Sequence, residues 1–219
     1  MRIDFHTHTV WSKDCCSSVE AFIRGCKRRR LDCVAITDHN EIDGALAVQK
    51  VAPFPVIVGE EISSMAGDII GLFVKRRIKP GLSLENTLYE IRAQLALVYL
   101  PHPYATKKRS GRSIDHFDLS RLRESVDIIE TFNCRNLNAI DDEKAKHLAE
   151  SVGAPQGAGS DAHTPFDIGL AYVELEAFDS QGGLIQGLRK GSISGRRSTF
   201  GRRVLLNRFT RNTLRWIVT

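Results

Sequence analysis

Two histidines near the N-terminus, His6 and His8, are separated by a single residue. On a strand, residues i and i+2 point to the same face, so both imidazoles can reach one metal ion. Asp4 stands two residues before His6 and shares that face, where a carboxylate can fix a histidine tautomer. Further polar clusters follow: Thr37-Asp38-His39, Glu60-Glu61, Pro101-His102-Pro103 and Gly159-Ser160-Asp161-Ala162-His163. These motifs use five of the seven histidines, leaving out His116 and His147. Imidazole and carboxylate donors in one set suit Zn, Mn or Fe better than Ca or Mg. Water bound to such an ion loses its proton near neutral pH, so the chemistry on offer is metal-assisted hydrolysis.

The elements that must position these groups can be read from hydrophobic patterning. Short apolar runs at residues 2–5, 33–37, 56–59, 68–74, 97–100, 127–132 and 171–175 read as strands. The run at 33–37 is continuously apolar, as buried parallel strands are. Ser17 or Ser18 can cap a helix to about residue 30, with Val19, Phe22, Ile23 and Cys26 on one face. Other helical patterns cover residues 44–51, 84–96, 138–152 and 181–190. This alternation predicts an α/β fold with a largely parallel sheet. The polar clusters fall just after strands, which in an α/β barrel is the C-terminal face that carries the active site.

The length of 219 residues suits one large domain, since α/β barrels commonly run to roughly 200–250 residues. Residues 1–190 are expected to form the body and residues 191–219 a basic C-terminal extension. Between Ser180 and Thr219 there are nine basic residues and no acids, which leaves the preceding residues at −4 out of a total of +5. Five cysteines, an odd number without a CxxC pair, argue against a disulfide framework or a zinc ribbon. No apolar run reaches the ~18–20 residues of a membrane span, and the charged first residues are unlike a signal peptide. A cytoplasmic protein is expected.

The pattern DxHxH, TDH, GxEIS, PHP and GSDAH resembles the PHP (polymerase and histidinol phosphatase) superfamily of metal-dependent phosphoesterases, over roughly residues 1–175. The resemblance implies a distorted (β/α)7 TIM-like barrel with two or three divalent metal ions (Zn, Mn or Fe) at the C-terminal end of its strands. It implies that His6 and His8 bind a first ion with Glu61 and Asp161. Glu61 matches the bridging carboxylate, because Gly59-Glu60-Glu61-Ile62-Ser63 aligns as GxEIS. Glu60 then points to the opposite face, solvated or supporting the ligands from behind. His102 matches a ligand of the second ion, and Asp14, His39 and His163 match the third site. Many members carry a histidine where this chain has Asp68-Ile69-Ile70-Gly71. Asp68 can replace it as an oxygen ligand, which favours a harder ion such as Mn or Fe.

The implied reaction is hydrolysis of a phosphate ester by a metal-bound hydroxide, with Glu61, His39 and His163 as the catalytic residues. His39 or His163 is placed to assist proton movement. Arg135, just after the strand at 127–132, is well placed to clamp the substrate phosphate, a role that bidentate guanidinium geometry favours. Lys107, Lys108 and Arg109 are candidates to line the mouth of the site. The expected substrate is a small phosphorylated metabolite or a nucleotide. One alternative is a nuclease or exonuclease acting on DNA or RNA ends; another is a metal-binding regulatory protein without turnover. In the extension, Val204, Leu205, Leu206, Phe209, Leu214, Trp216 and Ile217 interleave with Arg203, Arg208, Arg211 and Arg215. Such a segment can pack on the barrel, or meet nucleic acid or an anionic membrane surface.

Overall fold

The computed structural model describes residues 1–105 and 124–198. Its strands are β1 (Arg2–Asp4), β2 (Cys33–Ile36), β3 (Val56–Ser64), β4 (Gly67–Leu72), β5 (Leu97–Leu100), β6 (Ile128–Asn133), β7 (Gln156–Gly159), β8 (Ala171–Glu174) and β9 (Ser192–Gly195). The described helices are α1 (Val19–Arg29), α2 (Asp43–Gln49), α3 (Leu84–Arg92), α4 (Ala139–Val152) and α5 (Gln181–Lys190). Three helix starts follow from side-chain caps: Ser18 accepts from the Ala21 N–H, Ser83 from Asn86 and Ser180 from Gly183. α3 stops at Arg92 rather than near 96, because Leu95 turns left-handed at φ 58°. Lys107, Lys108, Arg109, His116 and the interleaved residues of the tail lie outside the described residues.

Alternate strand residues sort into two apolar layers. Val34, Ile36, Val56 and Val58 pack with Phe22 and Cys26 of α1 and Ala45 and Val48 of α2. Cys33, Ala35, Ile57, Ile70, Tyr99 and Ile128 cluster on the other face, in the barrel interior. The strand order is β7-β6-β5-β4-β3-β2-β1-β8-β9. Beyond Asp4 the chain also meets the end of β7: the Phe5 N–H donates to the Ala158 carbonyl at 3.2 Å, and Thr7 bridges Ala162 in parallel. That pairing nearly closes the sheet into a barrel, as the fold class requires.

The sheet is less parallel than the sequence pattern predicts. β1–β2, β2–β3, β5–β6 and β6–β7 are parallel, whereas β4 is antiparallel to both of its neighbours. The connection through Met65 and Ala66 is too short for a crossover helix, so β3 and β4 form a hairpin. β8 and β9 form a second antiparallel pair beside β1. Past residue 190 the chain thus adds a ninth strand, then straps the loop after β6. The Ser198 N–H donates to the Cys134 carbonyl at 2.9 Å, and Arg197 donates to the Asn136 carbonyl at 3.1 Å and to Asp142 at 2.5 Å.

On β3, Glu61 lies on the interior face with Ile57, whereas Glu60 lies on the helix side. Glu60 is fully buried there rather than solvated. One oxygen accepts the Ile78 N–H at 2.8 Å and the other has no hydrogen-bond partner. Burial pushes this carboxyl from its ordinary 4.5 up to about 7. Ionisation therefore costs stability as pH rises through the interval between those values, and the whole cost is present above it. Glu60→Gln keeps an acceptor for Ile78 and removes the charge. In metal-free protein it is expected to melt with wild type near about pH 4 and to be more stable by on the order of 1–3 kcal/mol near about pH 8. Thermal denaturation at both pH values reads the difference.

Candidate metal centre

β1 ends at Asp4, and the backbone bridge at Thr7 then holds His6 and His8 on one side, ring centroids 5.1 Å apart. Asp4 does not touch either ring. It accepts the backbone N–H groups of Ser160 (2.9 Å), Gly169 (2.9 Å) and His6 (3.3 Å), tying β1 to the segment that carries Asp161 and His163. The Ser160 and Asp161 peptides follow β7 directly, and the Asp161 N–H donates to the His6 carbonyl at 2.7 Å. His39 is held beside Glu61 by a parallel bridge between the two residues. His102 and Asp161 have left-handed backbones, φ 27° and 49°. Such strain in non-glycine residues persists where surrounding structure fixes it, commonly at functional sites.

Glu61 is the hub. Its Oε1 lies 3.1 Å from His102 Nε2; its Oε2 lies 3.0 Å from His39 Nδ1, 3.3 Å from His6 Nε2 and 3.4 Å from His8 Nε2. Asp161 Oδ1 lies 3.4 Å from His8 Nε2 and 3.3 Å from His163 Nδ1. Asp14, at the outer edge, lies 3.1 Å from His163 Nε2 and 3.7 Å from His39 Nε2. Arg135 Nη1 is 3.3 Å from Asp161 Oδ1 and touches His163 Nδ1.

The electrostatics are strongly coupled. Burial alone would raise the Glu61 carboxyl, but His39, His6 and His102 hold it well below the carboxylate range. Burial opposes charge on His39, yet Glu61 and Asp14 lift it to about 9. Burial, with His163 and His39 as neighbours, holds His8 well below the usual imidazole range.

Ligand atoms of three overlapping groups converge within 4.8 Å: His6–His8–Asp161, His6–Glu61–His102 and His8–His39–His163. His8 Nε2 is buried, 3.4 Å from two carboxylate oxygens, and hydrogen-bonded to neither. A buried nitrogen facing two buried carboxylates without a hydrogen bond is the environment a cation satisfies. The donor set therefore fits divalent metal.

The family model described as PHP domain matches residues 4–88, and the one described as PHP-associated matches residues 139–193. The uncharacterized protein MJ0417 of Methanocaldococcus jannaschii is 33% identical over 178 residues, spanning 80% of this chain and 70% of that protein. The chain belongs to the PHP family. Its fold is shared by a two-domain Bacteroides vulgatus protein containing a predicted PHP-like metal-dependent phosphoesterase, with a TM-score of 0.71 and 19% identity. The alignment covers 90% of this chain but only 65% of that one. It is also shared by Endonuclease Q, solved with a 27-mer duplex bearing an abasic lesion, with a TM-score of 0.60, 15% identity, and 86% and 56% of the two chains covered.

Of the residues singled out in the sequence, the fold brings together His6, His8, His39, Glu61, His102, Asp161 and His163, with Asp14 and Arg135 at their edge. Asp68 lies on the same face of the β3–β4 hairpin as Glu61, two positions along the strand. The β3–β4 register sets it opposite Ser63, while Ile70 faces Glu61. Two residues along a strand is roughly 6–7 Å, and Asp68 belongs to none of the three ligand groups among the described residues.

Sequence reasoning missed Glu130. Its Oε1 lies 3.2 Å from His6 Nδ1 and accepts the Tyr99 hydroxyl at 3.1 Å. Its Oε2 accepts the His102 N–H at 2.7 Å and the Asn133 amide at 2.9 Å. A side chain at Gly159 would collide with it, since a Cβ there falls 2.5 Å from Glu130 Oε1 and 2.2 Å from the His6 Cβ. The available signal was a carboxylate inside the apolar run Ile128-Ile129-Glu130, where only a partnered charge is tolerated.

Proposed function

We propose that this chain hydrolyses phosphate esters, acting on a small phosphorylated metabolite or a nucleotide with two or three divalent ions (Zn, Mn or Fe). The observation that carries the reading is the placement of Arg135 against Asp161 and His163, a guanidinium beside a buried imidazole–carboxylate cluster. His6, His8, Glu61 and Asp161 would hold a first ion, Glu61 and His102 a second, and Asp14, His39 and His163 a third. Such ions supply an activated water at neutral pH and positive charge at the phosphoryl oxygens. Glu61 neutralises and spaces the imidazoles from two sites at once. Arg135 orients the phosphate through paired N–H donors. Where the third ion is not held, His39 or His163 would be the group available to assist proton movement.

The test is a screen of full-length protein against metabolites, mononucleotides and short oligonucleotides with Mn, Zn and Fe supplied in turn. Metal-dependent phosphate release is expected, and chelation abolishes it. Arg135→Ala is expected to raise KM about 10–100-fold, the worth of a charged hydrogen bond, with metal content unchanged. Lack of release from every substrate by fully metal-loaded protein would sink the reading in favour of a binding or regulatory role.

The nuclease reading draws on the fold shared with Endonuclease Q and on the nine basic residues between Ser180 and Thr219. It predicts oligonucleotide cleavage that weakens steeply with salt and on removal of residues 199–219. Turnover of mononucleotides with intact oligonucleotides excludes it.

A further inference from the structure

Ser12 lies in the loop after His8 and is 1% exposed. Its hydroxyl has one proton to give, and the surroundings dictate where it goes. Asp38 Oδ1 lies 2.6 Å away and accepts it. The carboxylate is held in place by the Thr9 N–H at 2.7 Å on Oδ1 and the Thr9 hydroxyl at 2.5 Å on Oδ2. The His39 backbone N–H, which can only donate, reaches Ser12 Oγ at 3.0 Å. His8 Nδ1 is the remaining neighbour, at 3.2 Å. With its own proton committed to Asp38, Ser12 Oγ can only accept from that ring.

We propose that Ser12, ordered by Asp38, is a positioning residue that fixes His8 as its Nδ1–H tautomer and so presents a bare Nε2 between Glu61 and Asp161. This inference rests on His8 being a metal ligand. The opposite tautomer would leave a buried N–H that hydrogen-bonds neither carboxylate at 3.4 Å, and would place a proton where an ion must bind. An orienting partner behind a ligating histidine is commonly a carboxylate or a carbonyl; here a serine relays the carboxylate. Because the same oxygen holds the His39 backbone, Ser12 also sets the spacing of the His8 and His39 rings, whose centroids are 4.4 Å apart. The relay depends on a glycine in α2, since a Cβ at Gly44 would fall 2.2 Å from Asp38 Oδ2 and 2.3 Å from Thr9 Oγ1.

The test combines two measurements on the full chain. Nitrogen-15 NMR of the histidine rings in metal-free protein reads the tautomer directly. Calorimetric titration with Mn²⁺ reads affinity for wild type, Ser12→Ala and Gly44→Ala. Wild-type His8 is expected to carry its proton on Nδ1, and Ser12→Ala to bind Mn²⁺ about 10–100-fold more weakly. Gly44→Ala, which touches no ligand, is expected to weaken binding in the same direction. A proton on Nε2 in wild type overturns the proposal, as does Ser12→Ala binding within about twofold of wild type. Should Ser12→Ala not fold, the wild-type tautomer and Gly44→Ala decide. Failure of wild type itself to bind Mn²⁺ or Zn²⁺ overturns the metal reading instead, while the tautomer measurement still decides the role of Ser12.

Discussion

Glu61→Ala is expected to lower phosphate-ester turnover by roughly 10³-fold or more and to leave the protein short of its metal complement. One carboxylate lies within 3.0–3.4 Å of four imidazoles, His39, His102, His6 and His8. Removing it takes a shared donor from two candidate ion sites and the counter-charge from the rings around it. A second readout follows from the same contacts. Glu61 is the largest influence lifting His39 to about 9 against burial, so in metal-free Glu61→Ala the His39 titration is expected to fall toward the ordinary imidazole value. Glu61→Gln keeps the shape and loses the charge, and is expected to share both effects. Metal analysis, turnover and histidine NMR on the same samples check them. Near wild-type activity with full metal content would overturn the assignment of Glu61.

Glu130→Ala is the second large effect, and it acts through stability as well as the site. The buried carboxylate is within hydrogen-bond reach of His6, Tyr99, His102 and Asn133. Its removal takes a buried acceptor from each of those groups, so a loss of about 3–5 kcal/mol is expected from denaturant unfolding. Metal affinity is expected to fall about 10–100-fold, because His6 loses the partner that orients it. Glu130→Gln retains an acceptor for the Tyr99 hydroxyl or the His102 N–H and is expected to recover part of the stability but less of the affinity. A variant that unfolds as wild type does and binds metal as tightly would show that Glu130 is a bystander.

Histidines cost stability when buried, and five of them placed just after apolar runs are hard to explain by packing alone. Spacing alone marked these clusters as candidates, and the resemblance to PHP proteins then assigned each residue its place in the expected ligand set. The supporting groups carry no such mark. Ser12, Asp38 and Glu130 are ordinary residue types whose meaning comes from what lies opposite them in space. Ser12 and Asp38 are 26 residues apart, and His6 and Glu130 are 124 apart. Asp4 illustrates the same limit: its spacing from His6 suggested a ring contact, yet its oxygens are taken by backbone N–H groups, two of them from the neighbouring segment after β7.

The sequence by itself determined the α/β class and most helix starts, since these follow from capping, periodicity and residue chemistry acting locally, and its resemblance to PHP proteins supplied the residues expected to converge. Register, closure and hydrogen-bond partnership were decided only by the tertiary structure. The β3–β4 hairpin sets Asp68 opposite Ser63, on the face that also carries Glu61, a placement that turn length and strand pairing impose and that no motif records. β9 extends the sheet past residue 190 because its backbone finds the free edge of β8, although its residues are unremarkable as a strand. The tautomer proposed for His8 comes from the direction of one serine proton, which depends on a carboxylate that only the folded chain brings to it.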